Sequence, residues 1–409
     1  MTLIAAVYPP GDCVFFLCDT LISTKGQFSG RMLGPSGVIR PRPNVADYHP
    51  ERLEQKCIII NKRTFAAYAG ASFLGKIVIR KLVEGLAHCE PSRSTILGII
   101  ADYETELNVH DTSVLIAFVE DGRYGCITLG PKFMRSQLPD GTVCLAAGSG
   151  AEAFLRDFPV ICSAKGAIVP RSLDPYHALI MRICGLTGNY FTHESFSSEF
   201  ESHFGGIIEI IRRTKVGFEK FPGATIIAEV IELGDDALTI VGGNFADFCY
   251  YDDLLVFRRF GQIRANDAVE AFGTDYFIDT VNPPHRKATS KEHERATTNI
   301  QAKSFQNSEV FIFSWIDPAT PEKGQMRVST PDIAGVEIGR TNDQFWIFRS
   351  RNYLRYLAKR FRVKKVYVGN RDSCPAYPPT LRSRAFSLFR RLLDPKRQPF
   401  VSLLQKRKK

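Results

Sequence analysis

The chain has 409 residues, and its 53 lysines and arginines outnumber its 43 aspartates and glutamates, which gives a formal net charge of +10. This length is more than one compact core usually holds, so we expect two or three domains. No run of eighteen apolar residues occurs, and no basic segment precedes an apolar one at the N-terminus. We therefore expect neither a transmembrane helix nor a signal peptide.

Ten cysteines and eight histidines are scattered along the chain, without a CxxC pair and without the spacing of metal ligands. Disulfide frameworks and zinc sites normally show regular spacing of these residues. We therefore expect reduced thiols, a cytoplasmic location, no metal and no cofactor.

The first segment of the chain predicts a β-hairpin. Residues 3–7 and 13–17 are apolar, and the sequence Pro-Pro-Gly-Asp at 9–12 between them is typical of a turn. Asp19 lies just past the second strand. The hairpin would therefore carry the Asp19 carboxylate back towards Thr2.

Thr2 follows the initiator methionine directly. A small side chain at this position normally lets the methionine be trimmed, which would leave a threonine with a free α-amine beside its own hydroxyl. An α-amine, with an ordinary pKa of about 7.7–8.0, could take the hydroxyl proton near neutral pH. One residue would then hold both nucleophile and base. The alternative, that the chain begins Met-Thr for no catalytic reason, stays open on this residue alone.

A second hairpin is predicted over residues 57–69, with Asn-Lys-Arg at its turn and Gly70 at its end. Lys56 stands directly before its first strand. A lysine that enters a buried strand needs a partner of opposite charge, and Asp19 could supply it. The alternatives are a strand-edge charge for Lys56 and a simple turn for Gly70.

The middle of the chain alternates helices and strands. Apolar residues at helical spacing predict helices over residues 72–86, 95–107, 151–157 and 174–190. Strands are predicted over 113–119, 124–129, 143–147, 206–211 and 224–233, the first two being joined by an Asp-Gly turn. Gly-Ser-Gly at 148–150 leads into a helix and can serve simply as its cap. This order of strands and helix pairs is that of a four-layer αββα sandwich, an α+β architecture.

In chain order, Thr2, Asp19, Lys56, Gly70 and Ser149 resemble the proteasome family of N-terminal nucleophile hydrolases, which includes proteasome β-subunits and the bacterial HslV-type peptidases. The resemblance extends to about residue 240. It implies the four-layer αββα sandwich of that family, chemistry without a cofactor, and a symmetric homo-oligomer that encloses its nucleophiles in a chamber.

The resemblance also implies a role for each of these residues. Thr2 Oγ1 would attack a peptide carbonyl, and its α-amine would accept the proton. Lys56, held charged by Asp19, would lower the pKa of the neighbouring hydroxyl and amine. The Gly70 N–H would face the oxyanion, where one donor can be worth roughly 2.7–4 kcal/mol. Ser149 would orient the α-amine.

The chain departs from the family pattern in several places, among them the spacing of Thr2 and Asp19, which is about one residue longer. The counterpart of the family's second acid is Glu201, in the sequence Glu-Ser-His-Phe-Gly at 201–205, with Glu in place of Asp and Phe in place of Ser. Residues 24–50 form an insertion rich in glycine and proline, which predicts a long loop.

The last third of the chain predicts a separate region. Residues 282–308 are polar and indicate a linker, whereas 310–316, 344–348 and 363–368 are strand-like and 353–361 predicts a basic amphipathic helix. We therefore expect a proteasome-like hydrolase domain over 2–250, a connecting segment over 251–308 and a basic extension over 309–409.

The positive charge is concentrated at the C-terminal end, where nineteen Lys and Arg lie between Arg349 and Lys409 against two acids, Asp372 and Asp394. Residues 382–393 place arginines between apolar residues at helical spacing. Such a segment predicts docking onto an acidic partner or an anionic surface, whether membrane or nucleic acid. A solvated tail is equally consistent with the sequence. The sequence gives no indication of an ATPase partner.

Three functions of different classes follow from these observations. The first is a threonine-type endopeptidase that acts on peptide or protein substrates through Thr2. The second is a non-catalytic proteasome-fold subunit with a structural or regulatory role, which the altered segment at 201–205 favours. The third is a scaffold that docks an acidic partner through its basic C-terminus.

Overall fold

A computed structural model describes residues 2–11, 13–25, 32–34, 37–39, 48–163, 175–196, 205–251, 254–265, 268–278, 280–281, 286–302, 308–317, 325–329, 334–341 and 344–369. The candidate acid Glu201, much of the insertion at 24–50 and the basic segment beyond residue 369 lie outside these residues. The described residues form a mixed α/β structure with several β-sheets.

Strands occur along the whole described chain. Those of the first half are β1 (Ile4–Tyr8), β2 (Phe15–Asp19), β3 (Leu21–Lys25), β4 (Met32–Gly34), β5 (Gly37–Ile39), β6 (Tyr48–Leu53), β7 (Cys57–Asn61), β8 (Thr64–Ala69), β9 (Ser113–Glu120), β10 (Arg123–Leu129), β11 (Met134–Gln137) and β12 (Val143–Ala147). Those of the second half are β13 (Ile208–Thr214), β14 (Gly217–Lys220), β15 (Gly223–Leu233), β16 (Ala237–Tyr251), β17 (Leu254–Ala265), β18 (Ala268–Ile278), β19 (Thr280–Val281), β20 (Arg286–Lys287), β21 (Val310–Ile316), β22 (Gln325–Ser329), β23 (Val336–Thr341), β24 (Gln344–Arg349) and β25 (Lys365–Val368).

Helices lie between these strands in separate groups. They are α1 (Ser72–Gly85), α2 (Arg93–Ile100), α3 (Glu104–Val109), α4 (Ala151–Ser163), α5 (Pro175–Phe196), α6 (Ser290–Ala302) and α7 (Arg351–Phe361). The helix predicted over 95–107 is divided, because a 3₁₀ turn at Ala101–Tyr103 separates α2 from α3.

The first sheet has six strands in the order β11-β12-β1-β2-β13-β14, and every neighbouring pair is antiparallel. The predicted N-terminal hairpin is confirmed, with Ile4 opposite Cys18. Thr2 therefore lies just before a central strand of this sheet, and Asp19 ends the strand beside it.

The second sheet has four antiparallel strands in the order β10-β9-β8-β7. The predicted β9–β10 hairpin is confirmed, and its turn residues Asp121 and Gly122 have φ angles of 48° and 74°. One face of this sheet packs on α1 to α3, where Val78, Ile96 and Leu107 share one apolar cluster with strand residues. Gly70 lies at the end of β8, directly before α1.

The first and second sheets face each other. Phe16 of β2 and Phe65 of β8 are in ring contact across the interface, with centroids 4.7 Å apart. On the other face of the first sheet, Leu17 packs in one cluster with Phe154 of α4 and Ile183 of α5. Two sheets are therefore in contact, with helices on the outer side of each.

The third sheet has seven strands, in the order β18-β17-β16-β15-β21-β22 with β25 beside β16. Its β15–β21 and β16–β25 pairs are parallel. One face shares the apolar cluster of α5, and the other packs on α7 through a cluster that includes Trp315 and Leu357. The sheet contains strands from 223–278, from 310–329 and from 365–368.

The segment predicted as a linker over 282–308 contains a helix, which corrects that expectation. Helix α6 begins after Thr289, whose backbone N–H donates to Glu292 Oε2 at 2.8 Å while the Glu292 N–H donates back to Thr289 Oγ1 at 3.3 Å. This reciprocal pair is a capping box, which satisfies donors at the first helical turn. The helix contributes the buried Ala296 to a small cluster with Leu254 and Val256.

The predicted basic helix over 353–361 is confirmed as α7. Ser350 caps it by accepting a hydrogen bond from the Tyr353 N–H at 3.2 Å. None of the helices within the described ranges is long and apolar enough to cross a membrane.

Candidate active site

Thr2 is held at both its side chain and its backbone. The Gly70 N–H donates to Thr2 Oγ1 at 3.1 Å, and the Thr2 N–H donates to Ser149 Oγ at 2.9 Å. The Gly150 N–H donates to the Thr2 carbonyl oxygen at 3.0 Å. Two distant parts of the sequence, at Gly70 and at Ser149–Gly150, thus converge on one threonine.

Gly70 reaches Thr2 because its backbone has a conformation that suits glycine. Its φ angle is +107°, and a Cβ there would collide with the Asp111 carbonyl oxygen and lie 2.8 Å from Thr112 Cα. A side chain at position 70 would therefore displace the backbone that carries this N–H. The close approach explains why a glycine follows β8 at this point.

The turn before α4 places Ser149. Gly148 has a φ angle of +92°, and a Cβ there would collide with the Thr2 carbonyl oxygen. The Ala151 N–H donates to the Gly148 carbonyl at 3.1 Å, so the turn continues directly into the helix. The sequence Gly-Ser-Gly thus lets the turn approach the backbone of Thr2 closely and brings Ser149 Oγ to its nitrogen.

Asp19 and Lys56 form a buried ion pair beside this threonine. Lys56 Nζ lies 2.6 Å from Asp19 Oδ1, and both side chains have zero solvent exposure. The same carboxylate accepts hydrogen bonds from the Leu3 N–H at 2.9 Å and the Gly205 N–H at 3.2 Å. Lys56 Nζ also donates to the Leu21 carbonyl oxygen. The prediction that Lys56 is buried and paired with Asp19 is confirmed.

Burial lowers the pKa of Lys56, and the Asp19 carboxylate opposes that shift by favouring the charged ammonium. Lys56 Nζ uses its hydrogen bonds on Asp19 and Leu21, and Thr2 Oγ1 is not among its partners in the part of the chain that the structure describes. The contact of the pair with the threonine therefore runs through Asp19 and the Leu3 N–H, one residue from Thr2.

Five of the six residues singled out from the sequence are brought together: Thr2, Asp19, Lys56, Gly70 and Ser149. The sixth, Glu201, lies outside the described residues. The site also uses two backbone groups that the sequence did not indicate, the Gly205 N–H and the Leu21 carbonyl. Backbone donors and acceptors carry no side-chain signature, so no sequence pattern could have pointed to them.

This arrangement can support acyl transfer. A hydroxyl lies against a backbone donor, the nitrogen of the same residue lies against a second hydroxyl, and a buried ion pair contacts the next residue, Leu3. Thr2 is only 3% exposed, so little of its surface is open to solvent. Within the described ranges, no cluster of three or more His, Cys, Asp or Glu side chains is placed to hold a metal ion.

The chain matches no protein-family model and no curated protein sequence. The interpretation of the site therefore rests on its geometry and on the chemistry of its residues.

Proposed function

We propose that this protein is a threonine-type amide hydrolase, an endopeptidase, with Thr2 as its N-terminal nucleophile. The observation that carries the proposal is the double contact of Thr2, which has its Oγ1 on the Gly70 N–H and its nitrogen on Ser149 Oγ. The hydroxyl and the backbone nitrogen of Thr2 are each held in place, and trimming to Thr2 would turn that nitrogen into the α-amine that this reaction needs. The mechanism requires that nothing precedes Thr2 in the active chain.

In the proposed reaction, Thr2 Oγ1 bonds to the carbonyl carbon of a peptide while its proton passes to the α-amine. The Gly70 N–H stabilises the oxyanion of the tetrahedral intermediate. The carbon–nitrogen bond then breaks, and the leaving amine takes the proton from the α-amine. Water adds to the resulting ester by the same path, which releases the acid and restores the threonine.

In this proposal, Asp19 and Lys56 adjust the pKa values of the Thr2 groups and fix the neighbouring backbone. The Lys56 charge lowers the pKa of the hydroxyl and the amine, because a nearby cation favours their deprotonated forms. Asp19 keeps that cation charged in a site where burial opposes it. The Asp19 bond to the Leu3 N–H also fixes the backbone next to the nucleophile.

We further propose that the first two sheets and helices α1 to α5 form the four-layer αββα sandwich of the proteasome family. The facing sheets, the helices on their outer sides and the place of Thr2 before a central strand support this assignment. In this view the third sheet and α7 extend the sandwich beyond α5. The family resemblance also leads us to propose a closed homo-oligomer, so sedimentation should show a particle well above 45.9 kDa. A monomer at micromolar concentration would argue against it.

A second candidate is a non-catalytic protein of the same fold that docks an acidic partner. The observation in its favour is that α7 buries Tyr353, Leu354 and Leu357, while Arg355 and Lys359 are exposed. A helix whose apolar face is already covered offers only charge to a partner, so its association should weaken as salt rises.

Hydrolysis of a peptide library by the wild type, Thr2→Ala and Thr2→Ser distinguishes the two candidates. The peptidase proposal expects Thr2→Ala to lower the turnover number by roughly 10⁴-fold or more, with an unchanged thermal melt, and Thr2→Ser to keep measurable activity. Hydrolysis of equal rate in Thr2→Ala refutes the assignment. A folded wild type that begins at Thr2 and hydrolyses nothing, but binds acidic proteins in a salt-sensitive way, favours the second candidate.

A further inference from the structure

Thr112 is a fully buried residue that lies behind the Gly70 backbone, directly before β9. Its Oγ1 accepts a hydrogen bond from the Ala71 N–H at 3.0 Å and donates one to the His110 carbonyl at 3.1 Å. The hydroxyl thus joins the turn between β8 and α1 to the loop that follows α3. Both of its hydrogen bonds are to backbone groups close to the candidate site.

The loop that carries Thr112 is fixed on two sides. The Thr112 N–H donates to the Leu107 carbonyl at 2.8 Å, which ties the loop to α3. A Cβ at Gly130 would collide with the Thr112 carbonyl oxygen, so the neighbouring strand end leaves no space behind the loop. Asp111, the next residue back, is ion-paired with Lys132. Thr112 therefore acts from a fixed position.

Gly70 needs such support because glycine has the widest conformational freedom of any residue. The peptide unit before it is held by the β8–β9 ladder, in which Ala69 lies opposite Ser113. The peptide unit after it is held by the bond from the Ala71 N–H to Thr112 Oγ1. With both flanking units fixed, the direction of the Gly70 N–H towards Thr2 Oγ1 is fixed as well.

We propose that Thr112 is a positioning residue for the oxyanion donor, acting on the Gly70 N–H through the Ala71 N–H. The proposal rests on the hydrolase function proposed above. The oxyanion exists only in the transition state and intermediate, so a misdirected donor should lower kcat and leave KM unchanged. Loss of a whole oxyanion donor costs roughly 10²–10³-fold in kcat, which sets the upper limit of the effect.

The test compares two variants that lack the hydroxyl with one that keeps it. Thr112→Val preserves the shape of the side chain, and Thr112→Ala gives a second deletion if valine does not fold. Both should lower kcat by about 10-fold or more, within the limit set by losing the donor. Thr112→Ser retains the hydroxyl and should restore kcat to near the wild-type value.

Thr64, the first residue of β8, offers a matched control. It is also fully buried, and its Oγ1 has no hydrogen-bond partner among the residues that the structure describes. Thr64→Val therefore removes a buried hydroxyl that holds nothing, and it should leave both kcat and KM unchanged. An equal loss of kcat in Thr64→Val would show that a general loosening of the strand is responsible, which overturns the proposal.

Hydrogen exchange of the peptide that spans residues 65–75 gives a readout that does not depend on activity. Exchange should be faster in Thr112→Val and Thr112→Ala than in the wild type, and unchanged in Thr112→Ser. A loss of kcat in Thr112→Ser as large as that in Thr112→Ala would assign the effect to packing and overturn the proposal.

Thr2→Ala, measured in parallel, distinguishes failure of the positioning role of Thr112 from failure of the proposed hydrolase function. If it loses hydrolysis while Thr112→Val keeps the wild-type kcat, only the role of Thr112 fails. If Thr2→Ala hydrolyses as fast as the wild type, the proposed function fails and the positioning role fails with it.

Discussion

Two buried carboxylates, Asp19 in the first sheet and Glu229 in the third, each carry a cation in direct contact. Lys56 Nζ lies 2.6 Å from Asp19, and Arg349 Nε lies 2.7 Å from Glu229. Both carboxylates are at least 99% buried. On ion pairing and burial alone, the two sites look alike.

The remaining partners differ. Asp19 accepts two further hydrogen bonds from backbone N–H groups, one of them on the residue after Thr2. Glu229 accepts from side chains, the Tyr353 hydroxyl at 2.5 Å and the Trp315 indole N–H at 2.9 Å. Burial together with Glu229 raises the pKa of Tyr353, which keeps its hydroxyl protonated and able to donate.

The Glu229 network joins α7 to the third sheet, whereas the Asp19 pair contacts the backbone beside Thr2, the proposed nucleophile. A buried ion pair is therefore a weak indicator of function by itself, because structural networks contain them too. What distinguishes the first site is Thr2, whose hydroxyl accepts from the Gly70 N–H and whose backbone N–H donates to Ser149 Oγ. Substitutions at the two ion pairs should therefore have different effects.

The largest effect should come from removing the charge of one carboxylate while keeping its shape. Asp19→Asn leaves Lys56 as an uncompensated buried cation and should lower the free energy of unfolding by about 3–5 kcal/mol. Glu229→Gln should cost less, because the Arg349 side chain is 14% exposed and can be partly hydrated, whereas that of Lys56 is 0% exposed. Urea unfolding measures both.

The exposed pair Lys81–Glu84 provides the control for this comparison. Lys81→Met should leave the unfolding curve unchanged, because solvent screens an exposed pair. If Asp19→Asn were no more destabilising than Lys81→Met, the buried pair would contribute nothing to the fold and this part of the account would be wrong.

A smaller effect, on activity, should separate the two cations. Lys56→Met should lower the turnover number by roughly 10²-fold or more, since it removes the charge that we propose activates the Thr2 hydroxyl and amine. Arg349→Met removes the corresponding cation of the third sheet and should leave turnover per folded molecule unchanged. Steady-state kinetics would measure the difference, with the enzyme concentration taken as the concentration of folded protein. Equal losses in the two variants would mean that the activity loss reflects stability alone.

The smallest effect is a pH dependence of stability. The folded pKa of Lys56 is below its ordinary value of 10.5, so between these two values the unfolded chain binds more protons than the folded one. The free energy of unfolding of the wild type should therefore rise with pH across that window, relative to Lys56→Met. Paired urea titrations from neutral to alkaline pH measure it. A difference between the two proteins that stays constant or falls would contradict a lowered pKa.

The parts of the site that depend on neighbouring segments of the chain could be predicted from the sequence. The β1–β2 hairpin places Asp19 beside the start of β1 whatever the rest of the chain does, and a lysine entering a buried strand needs a carboxylate. Gly70 and Ser149 were found through the resemblance, because each stands at the end of a strand in the expected order.

Long-range pairing could not be predicted in the same way. Strand β15 is an apolar run of a common type, and nothing in its residues indicates that it pairs in parallel with β21, beyond several intervening strands. Helix α6 was missed because its composition is polar, although Thr289 and Glu292 carry the spacing of a capping box. Thr112 has no signal at all, since its role depends on a loop that only the fold brings to Gly70.

The most direct test of Thr2 as the nucleophile is to react the folded protein with an electrophilic peptide and to map the adduct by mass spectrometry. We expect one adduct, on a Thr2 that is the first residue of the chain, and none in Thr2→Ala. Attachment to another residue, or no reaction by folded protein that begins at Thr2, would contradict the claim that Thr2 is the nucleophile.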